Sequence, residues 1–553
     1  MPDRPFFLSS ARLHLFALLA LCGVLFFWQL DAYSLFNHTE AKQAEIARQI
    51  WVRHDWLTPY YNGEIYFDKP ILLHWLIALG FPLVGVNEWA VRLPSAIAAT
   101  VLILATWAFV RHFAGNRVGF LAATMLAANP FTFTLGRTGQ HDMLLTCLMS
   151  LALYSWYYGY ATGKTWGYLG FFGAIALAVL AKGPLALVLS SLILLVFLIW
   201  TGEWRKVLRR MPWRWGLLLF GGILLPWYGL MLRANGWTFL NQFVGYNNVD
   251  RFLSPNLQQS APWYFYLLLL AVGFFPWNGL LPGAVMRRLG VRSLRPAYWQ
   301  GRSPASQLLL FTTLWLVVVV SFMSVAATKL PWYVFPALPA LAYLCARTWE
   351  SQLLKPRPSL TMQLGGIGLI YLLAAIALAL IPWWFADSSV IQAIAATGIP
   401  FIWAAIAAVA AGVVGVSALY RNVIWAWSTG AIAFTLITVT FVHTFLPALD
   451  QVALGERLIP IAQILQERSC ENCPDALPAA WGVDEPSLNF YSRISYIKRF
   501  ESPFELQVRL QQGDRLLLVT TPAALNAAGV SLENAVPIAT SGEYELFALG
   551  EVR

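Results

Sequence analysis

Long apolar stretches alternate with short polar ones over the first 450 residues, and their spacing sets the expected elements. Runs of spanning length fall near 13–30, 93–110, 118–136, 142–160, 166–181, 184–200, 215–232, 262–285, 306–327, 331–346, 361–383, 398–419 and 423–446. Each is close to the roughly 20 residues that an α-helix needs to cross a bilayer, so the pattern predicts about thirteen transmembrane helices. One further run, 71–86, is short and broken by Pro82 and Gly85, and it reads as a helix lying at the interface. Beyond residue 450 no spanning run remains. Apolar and polar residues alternate there, RLLLVTTP and EYELFALG read as strands and ALGERLIPIAQILQER as a helix, so 451–553 reads as a separate α/β domain.

The basic residues orient this pattern. Arg205, Lys206, Arg209, Arg210 and Arg214 share one loop, and Arg287, Arg288, Arg292, Arg295 and Arg302 share another. Arg347, Lys355 and Arg357 form a third, with Arg4, Arg12, Arg111, Arg117 and Arg421 at other span ends. Thirteen spans starting from a cytoplasmic N-terminus put all of them on the cytoplasmic side, as the positive-inside rule requires. The C-terminal domain, which holds nearly half the acidic residues, is then extracytoplasmic, and so is the loop from Asp31 to about Arg92. The first run continues from Leu13 to Leu30 without a small-residue cleavage site, so it reads as a retained span and not a signal peptide.

Composition agrees with this picture. Only 12% of the 553 residues are charged, against about 25% in soluble domains. The net charge of +10 comes from short clusters between apolar runs, which reflects topology and argues against nucleic acid. Cys22, Cys147 and Cys345 lie in apolar runs as small buried hydrophobes. Cys470 and Cys473 form Cys-x-x-Cys without a second pair or His partners, which favours a local disulfide over zinc in an extracytoplasmic domain.

Candidate chemistry gathers on the extracytoplasmic side. Thr39 precedes EAKQAEIARQIW and reads as an N-cap, with Glu40 as the first helical residue and Lys42, Glu45 and Arg48 as a solvated face. Lys69, Arg137, Lys182 in AKGP, Arg251 in NNVDRF and Lys329 in TKLPWY all stand at or beside span ends on that side. Cations converging there point to an anionic ligand, phosphate being the usual one. Glu40, Asp68 and Asp142 share the level. Each has a plain reading as a helix-end carboxylate, and a chemical one as the base that deprotonates an acceptor hydroxyl.

The segments TEAKQAEIARQI, DWLTPYYNGEIYFDKPILLHW, EWAVRLPSA, HDMLLT, AKGP, NNVDRFL, FFPW and TKLPWYVFPALPALA, in this order over about residues 30–345, resemble the membrane-embedded glycosyltransferases of the GT-C fold. The resemblance is to the group holding the lipid A aminoarabinose transferases and bacterial relatives of protein O-mannosyltransferases. It implies a bacterial inner-membrane enzyme that moves a sugar from a polyprenyl-phosphate donor to lipid A, another glycan or a protein. No cofactor or metal is implied, and a monomer is expected. The family usually opens its first loop with Asp-Glu-Ala-Arg-Tyr, whereas this chain reads Thr39, Glu40, Ala41, Lys42, Gln43. The family's catalytic Asp is thus Thr39 here, and Lys42 keeps the charge of the usual Arg without its bidentate geometry. The resemblance assigns catalysis to Asp142, Glu40 and the Thr39 position. It assigns the donor phosphate to Lys69, Lys329, Arg251 and Lys42, and the substrate to Asp68, His74, Arg137, Lys182 and Tyr333. A catalytically silent scaffold and a transporter of a lipid-linked anion are the alternatives. Sugar and acceptor are not specified by the sequence.

Overall fold

The structure is a computed structural model that describes residues 10–250, 261–282, 295–453, 457–469, 476–512, 514–528 and 535–549. It is a polytopic helical membrane protein with a C-terminal mixed-sheet domain. Helix α1 (Ala11–Cys22) runs through a π turn into an extended stretch, and a second π turn, Asn37–Ala41, leads into α2 (Lys42–Arg53). A two-strand hairpin follows, β1 (Tyr60–Tyr61) and β2 (Glu64–Ile65), then α3 (Leu72–Val84). The bundle continues with α4 (Glu88–Ala114), α5 (Asn116–Ala127), α6 (Pro130–Gly136), α7 (His141–Thr162), α8 (Thr165–Lys182), α9 (Leu185–Thr201), α10 (Trp204–Arg210) and α11 (Trp213–Leu240). It closes with α12 (Phe265–Gly273), α13 (Pro304–Val325), α14 (Leu338–Leu354), α15 (Ser359–Trp384), α16 (Ser389–Ala396), α17 (Ile399–Tyr420), α18 (Val423–Thr440) and α19 (Leu446–Ala453).

Each of the thirteen apolar runs contains helix in the described residues, though 118–136 is split between α5 and α6 and 331–346 opens as a 3-10 turn, Pro331–Ala337. Among the described residues, seven helices are long and apolar enough to cross a bilayer, eight if α5 and α6, bent by 66° at Ala128–Asn129, count as one. Local chemistry explains that bend: Asn129 caps α6 by accepting from the Phe131 and Thr132 amides, and Pro130 opens it. Helix α3 has 13 residues, about 20 Å, which falls short of the roughly 30 Å hydrocarbon core.

The C-terminal domain begins with α20 (Leu458–Glu467). A five-stranded sheet follows, ordered β4-β3-β5-β7-β6, from β3 (Leu477–Trp481), β4 (Lys498–Arg499), β5 (Leu516–Thr520), β6 (Val536–Ser541) and β7 (Tyr544–Leu549). β3 pairs in parallel with β4 and β5, and β7 antiparallel with β5 and β6. Helices α21 (Pro486–Ser492), α22 (Pro503–Gln511) and α23 (Pro522–Ala528) connect the strands. One face of β5 buries Leu517 and Val519 against Leu458, Ile461 and Leu465 of α20, while Leu516 and Leu518 pack on the other face with Leu506. A strand buried on both faces explains the near-continuous apolar run in RLLLVTTP. Cys470 and Cys473 lie outside the described residues.

Two expectations for the first loop are corrected. Thr39 is not the N-cap: Phe36, in extended conformation, precedes the helical turn, and Glu40 reaches back to accept its N–H at 3.2 Å. The Glu40 carboxylate does the capping that the Thr39 hydroxyl was expected to do. Glu45 and Arg48 are not a solvated face either, for both are buried in a bidentate pair of 2.7 and 2.8 Å, with Gln49 also donating to Glu45. Burial of α2 between α3 and α21 removes the face from water.

Glu40 ties the bundle together. Arg92 of α4 donates to Glu40 Oε1 through Nε (3.0 Å) and to Oε2 through Nη2 (2.9 Å), with both side chains fully buried. The other Arg92 donors reach the carbonyls of Leu30 (2.8 Å), Tyr33 (3.0 Å) and Ser34 (2.9 Å). The Gly139 amide, just before α7, donates to Glu40 Oε1 at 2.7 Å. Gly139 is required there, because a Cβ would lie 2.6 Å from Val91 Cγ1. Removing one member of a buried, fully bonded ion pair strands the other, at a cost of about 3–5 kcal/mol. Arg92→Ala is therefore expected to lose that much stability, or not to fold, in thermal melts of the purified protein, whereas a change under about 1 kcal/mol would refute the anchoring role.

Candidate functional site

Three strands of the architecture meet at one end of the bundle: the start of α2, the segment entering α3, and the adjoining ends of α7 and α8. Lys42, the first residue of α2, lies 5.0 Å from the centroids of both Tyr61 and Tyr66, a cation held against two rings. The rings flank a hairpin whose two-residue turn, Asn62-Gly63, has φ of 50° and 86°, the left-handed geometry that Asn and Gly adopt readily. Tyr66 meets His74 edge-on at 6.1 Å, and His74 Nε2 bonds Gln43 Oε1 at 2.8 Å. The His74 and His141 rings are 5.2 Å apart.

Asp142, next to His141 in the first turn of α7, accepts from Lys182 through Oδ1, and both side chains are largely buried. Lys182 ends α8 because Gly183 follows with φ of 108°, a conformation that turns the chain sharply into Pro184 and α9. The Lys182 amine also lies 4.9 Å from the Tyr333 ring centroid. Lys69 donates to the carbonyl of the half-buried Asp68 at 3.2 Å, and its field and that of Lys182 both reach the His141 ring. The structure thus brings Lys42, Lys69, His74, Asp142, Lys182 and Tyr333 into one connected cluster.

Other expected residues stand elsewhere. Arg137 is buried and donates to the carbonyls of Leu25 (3.2 Å), Trp28 (2.8 Å) and Gln29 (2.6 Å), so it closes the end of the first helix and does not face the cluster. Glu40 is occupied by Arg92, and the half-buried Thr39 lies in the π turn before it. Lys329 precedes Tyr333 in the same segment and bonds the Ala326 carbonyl at 2.7 Å. Arg251 lies outside the described residues. The sequence reading did not single out Tyr61, Tyr66, Gln43, His141 or Arg92. The Asn-Gly pair at 62–63 is a strong hairpin signal and marks the two tyrosines, whereas nothing local marks Arg92 as the partner of a residue 52 positions away.

Comparison with known proteins places this geometry. The family model described as dolichyl-phosphate-mannose-protein mannosyltransferase matches residues 68–228, a span holding Lys69, His74, Asp142 and Lys182. Over nearly its whole length (98% of each chain) the fold superposes on ArnT from Cupriavidus metallidurans, with TM-score 0.79 and 22% identity; that structure is described as bound to undecaprenyl phosphate. The fold is thus that of the aminoarabinose transferase ArnT, and part of the chain is similar to the mannosyltransferase family model. Two sequence relatives carry the name undecaprenyl phosphate-alpha-4-amino-4-deoxy-L-arabinose arabinosyl transferase. One, from Pseudomonas paraeruginosa, is 31% identical over 66% of this chain, and one from Pseudomonas aeruginosa PAO1 is 32% identical over 66%. In each case the match spans 64% of the relative's own length.

Burial holds His74 far from its ordinary range, down to about 3 from 6.5, so it stays neutral as a hydrogen-bonding group. In the unfolded chain it takes up a proton near pH 6.5, so its contribution to stability is full above that pH and is lost as pH falls toward 3. His74→Gln is expected to flatten the fall in melting temperature between pH 6.5 and 4. Parallel curves for variant and wild type would show that His74 does not control that slope.

Proposed function

We propose that this protein transfers a sugar from a polyprenyl-phosphate donor to an acceptor hydroxyl. The donor class is that of the relatives' names, with undecaprenyl phosphate-4-amino-4-deoxy-L-arabinose the first to test. The observation that carries the reading is the cluster itself: Lys182 paired with the largely buried Asp142 carboxylate, and Lys42 and Lys69 on the adjoining segments with His and Tyr groups between. Cations so placed suit a phosphodiester, and the carboxylate suits an acceptor hydroxyl.

In this reading Lys69 and Lys42 hold the donor phosphate, with Lys329 and Arg251 as further cations. Asp142 takes the acceptor proton on Oδ2 while Lys182 fixes Oδ1. The acceptor oxygen attacks the anomeric carbon, the bond from that carbon to the phosphate oxygen breaks, and its electron pair leaves on polyprenyl phosphate. The lysines stabilise that charge as it develops, and configuration inverts. Glu40 and Arg137 serve as structural anchors. Asp68, His74 and Tyr333 shape the sugar pocket, Asp68 beside Lys69 and Tyr333 beside Lys182. Lipid A is the first acceptor to test, with other glycans and protein hydroxyls next. The assignment also carries thirteen spans, a cytoplasmic N-terminus, a periplasmic sheet domain (451–553) following the transmembrane domain (1–450), and a bacterial inner-membrane location.

Binding of undecaprenyl phosphate to the purified protein tests the reading directly. Lys69→Ala removes one charge-assisted contact of about 1.5–3 kcal/mol, so affinity is expected to fall roughly ten- to a hundredfold. No binding by wild type, or equal affinity in the variant, would overturn the assignment.

A further inference from the structure

The C-terminal domain reaches into the wall of the cluster through one side chain. Arg499, at the end of β4, is gripped within its own domain by Asp484 and by Asn489 Oδ1 at 3.2 Å. Its Nη2 also donates across the domain boundary to Tyr61 Oη at 3.0 Å. Tyr61 is one of the two rings that hold Lys42. The path from domain to cation is therefore two contacts long, Arg499 to Tyr61 and Tyr61 to Lys42.

A separate set of bonds docks the hairpin. Asn62 Oδ1 accepts from Ile497 N (2.9 Å) and Asn489 Nδ2 (3.1 Å), and Asn62 Nδ2 donates to the Ile497 carbonyl (3.1 Å). Tyr491 Oη accepts from the Leu35 amide (2.9 Å) and donates to Glu88 (2.7 Å). These contacts hold the domain on the loop without involving Tyr61. Arg499 instead fixes one of the two rings that hold Lys42, and its fork suits that task, with Nη1 on Asp484 and Nη2 shared between Asn489 and Tyr61.

We propose that Arg499 is a positioning residue. By fixing Tyr61 it sets the place of the Lys42 ammonium, and so couples the sheet domain to recognition of the donor phosphate. This rests on the transfer reading above, but its structural half is testable without turnover.

The experiment uses the full-length purified protein and two readouts. The first is the reactivity of the Lys42 amine toward an amine-modifying reagent, scored by mass spectrometry. The second is the KM and kcat for undecaprenyl phosphate-4-amino-4-deoxy-L-arabinose. Arg499→Gln and Tyr61→Phe are each expected to raise Lys42 labelling and donor KM roughly three- to tenfold, the size of coupling between contacting side chains. In Arg499→Gln, kcat should stay within about twofold. Arg499→Lys should restore part of the effect, and the double variant should exceed neither single one. Tyr61→Phe keeps the ring and alters the domain contact from the other side, so it tests the link even where Arg499→Gln does not fold. Unchanged Lys42 labelling in the variants, or fully additive effects, would overturn the coupling and leave the transfer reading standing. Altered labelling in a protein that transfers no sugar would overturn the transfer reading and leave the coupling standing.

Discussion

The Glu40–Arg92 ion pair is the constraint on which the site depends. Two charges buried among helices are tolerable only if every lone pair and N–H finds a partner. Here the carboxylate accepts from Arg92, Phe36 and Gly139, and the guanidinium also binds three carbonyls of the stretch after the first helix. Three segments distant in sequence are thereby fixed at one point. Lys42 comes two residues after Glu40, and Asp142 comes three after Gly139. An error in that joint would move the cation and the carboxylate relative to each other, which is what phosphate binding and proton removal tolerate least.

Around this joint the other buried charges divide by what satisfies them. Arg137 and Arg92 end on backbone carbonyls and close helix ends, as does Glu40 through the Phe36 amide. The Lys42 ammonium faces aromatic rings, and Lys182 pairs with a single carboxylate oxygen. Groups of the second kind are the ones that gather at the ends of α2, α7 and α8. The sheet domain completes the arrangement from outside, since its Tyr491, Asn489 and Arg499 all bond the first loop.

Helices were legible in the sequence because spanning length and apolar content are local properties, and every long run contains helix. Of the C-terminal strands only β5 and β7 were legible, from their apolar runs, while β3, β4 and β6 carried no such signal, and family motifs marked Lys69, His74, Asp142 and Lys182. Partners were not legible. Arg137 and Lys182 are both cations at helix ends, yet one binds carbonyls from 108–112 residues away and the other a carboxylate 40 residues away. Glu45 and Arg48 have the spacing of a surface pair, and only the packing of α21 and α3 on α2 shows them to be core. The Thr39 hydroxyl matched a cap signal that the Glu40 carboxylate satisfied instead, because Arg92 and Gly139 already draw that carboxylate to the helix start.

The central claim is that this cluster performs sugar transfer with Asp142 as the proton acceptor. The most direct test is mass-spectrometric detection of lipid A carrying the sugar, after purified protein in lipid nanodiscs is incubated with undecaprenyl phosphate-4-amino-4-deoxy-L-arabinose. The account predicts modified lipid A with wild type, and a loss of at least about a hundredfold in turnover with Asp142→Asn while undecaprenyl phosphate still binds. Transfer at the wild-type rate by Asp142→Asn would contradict it.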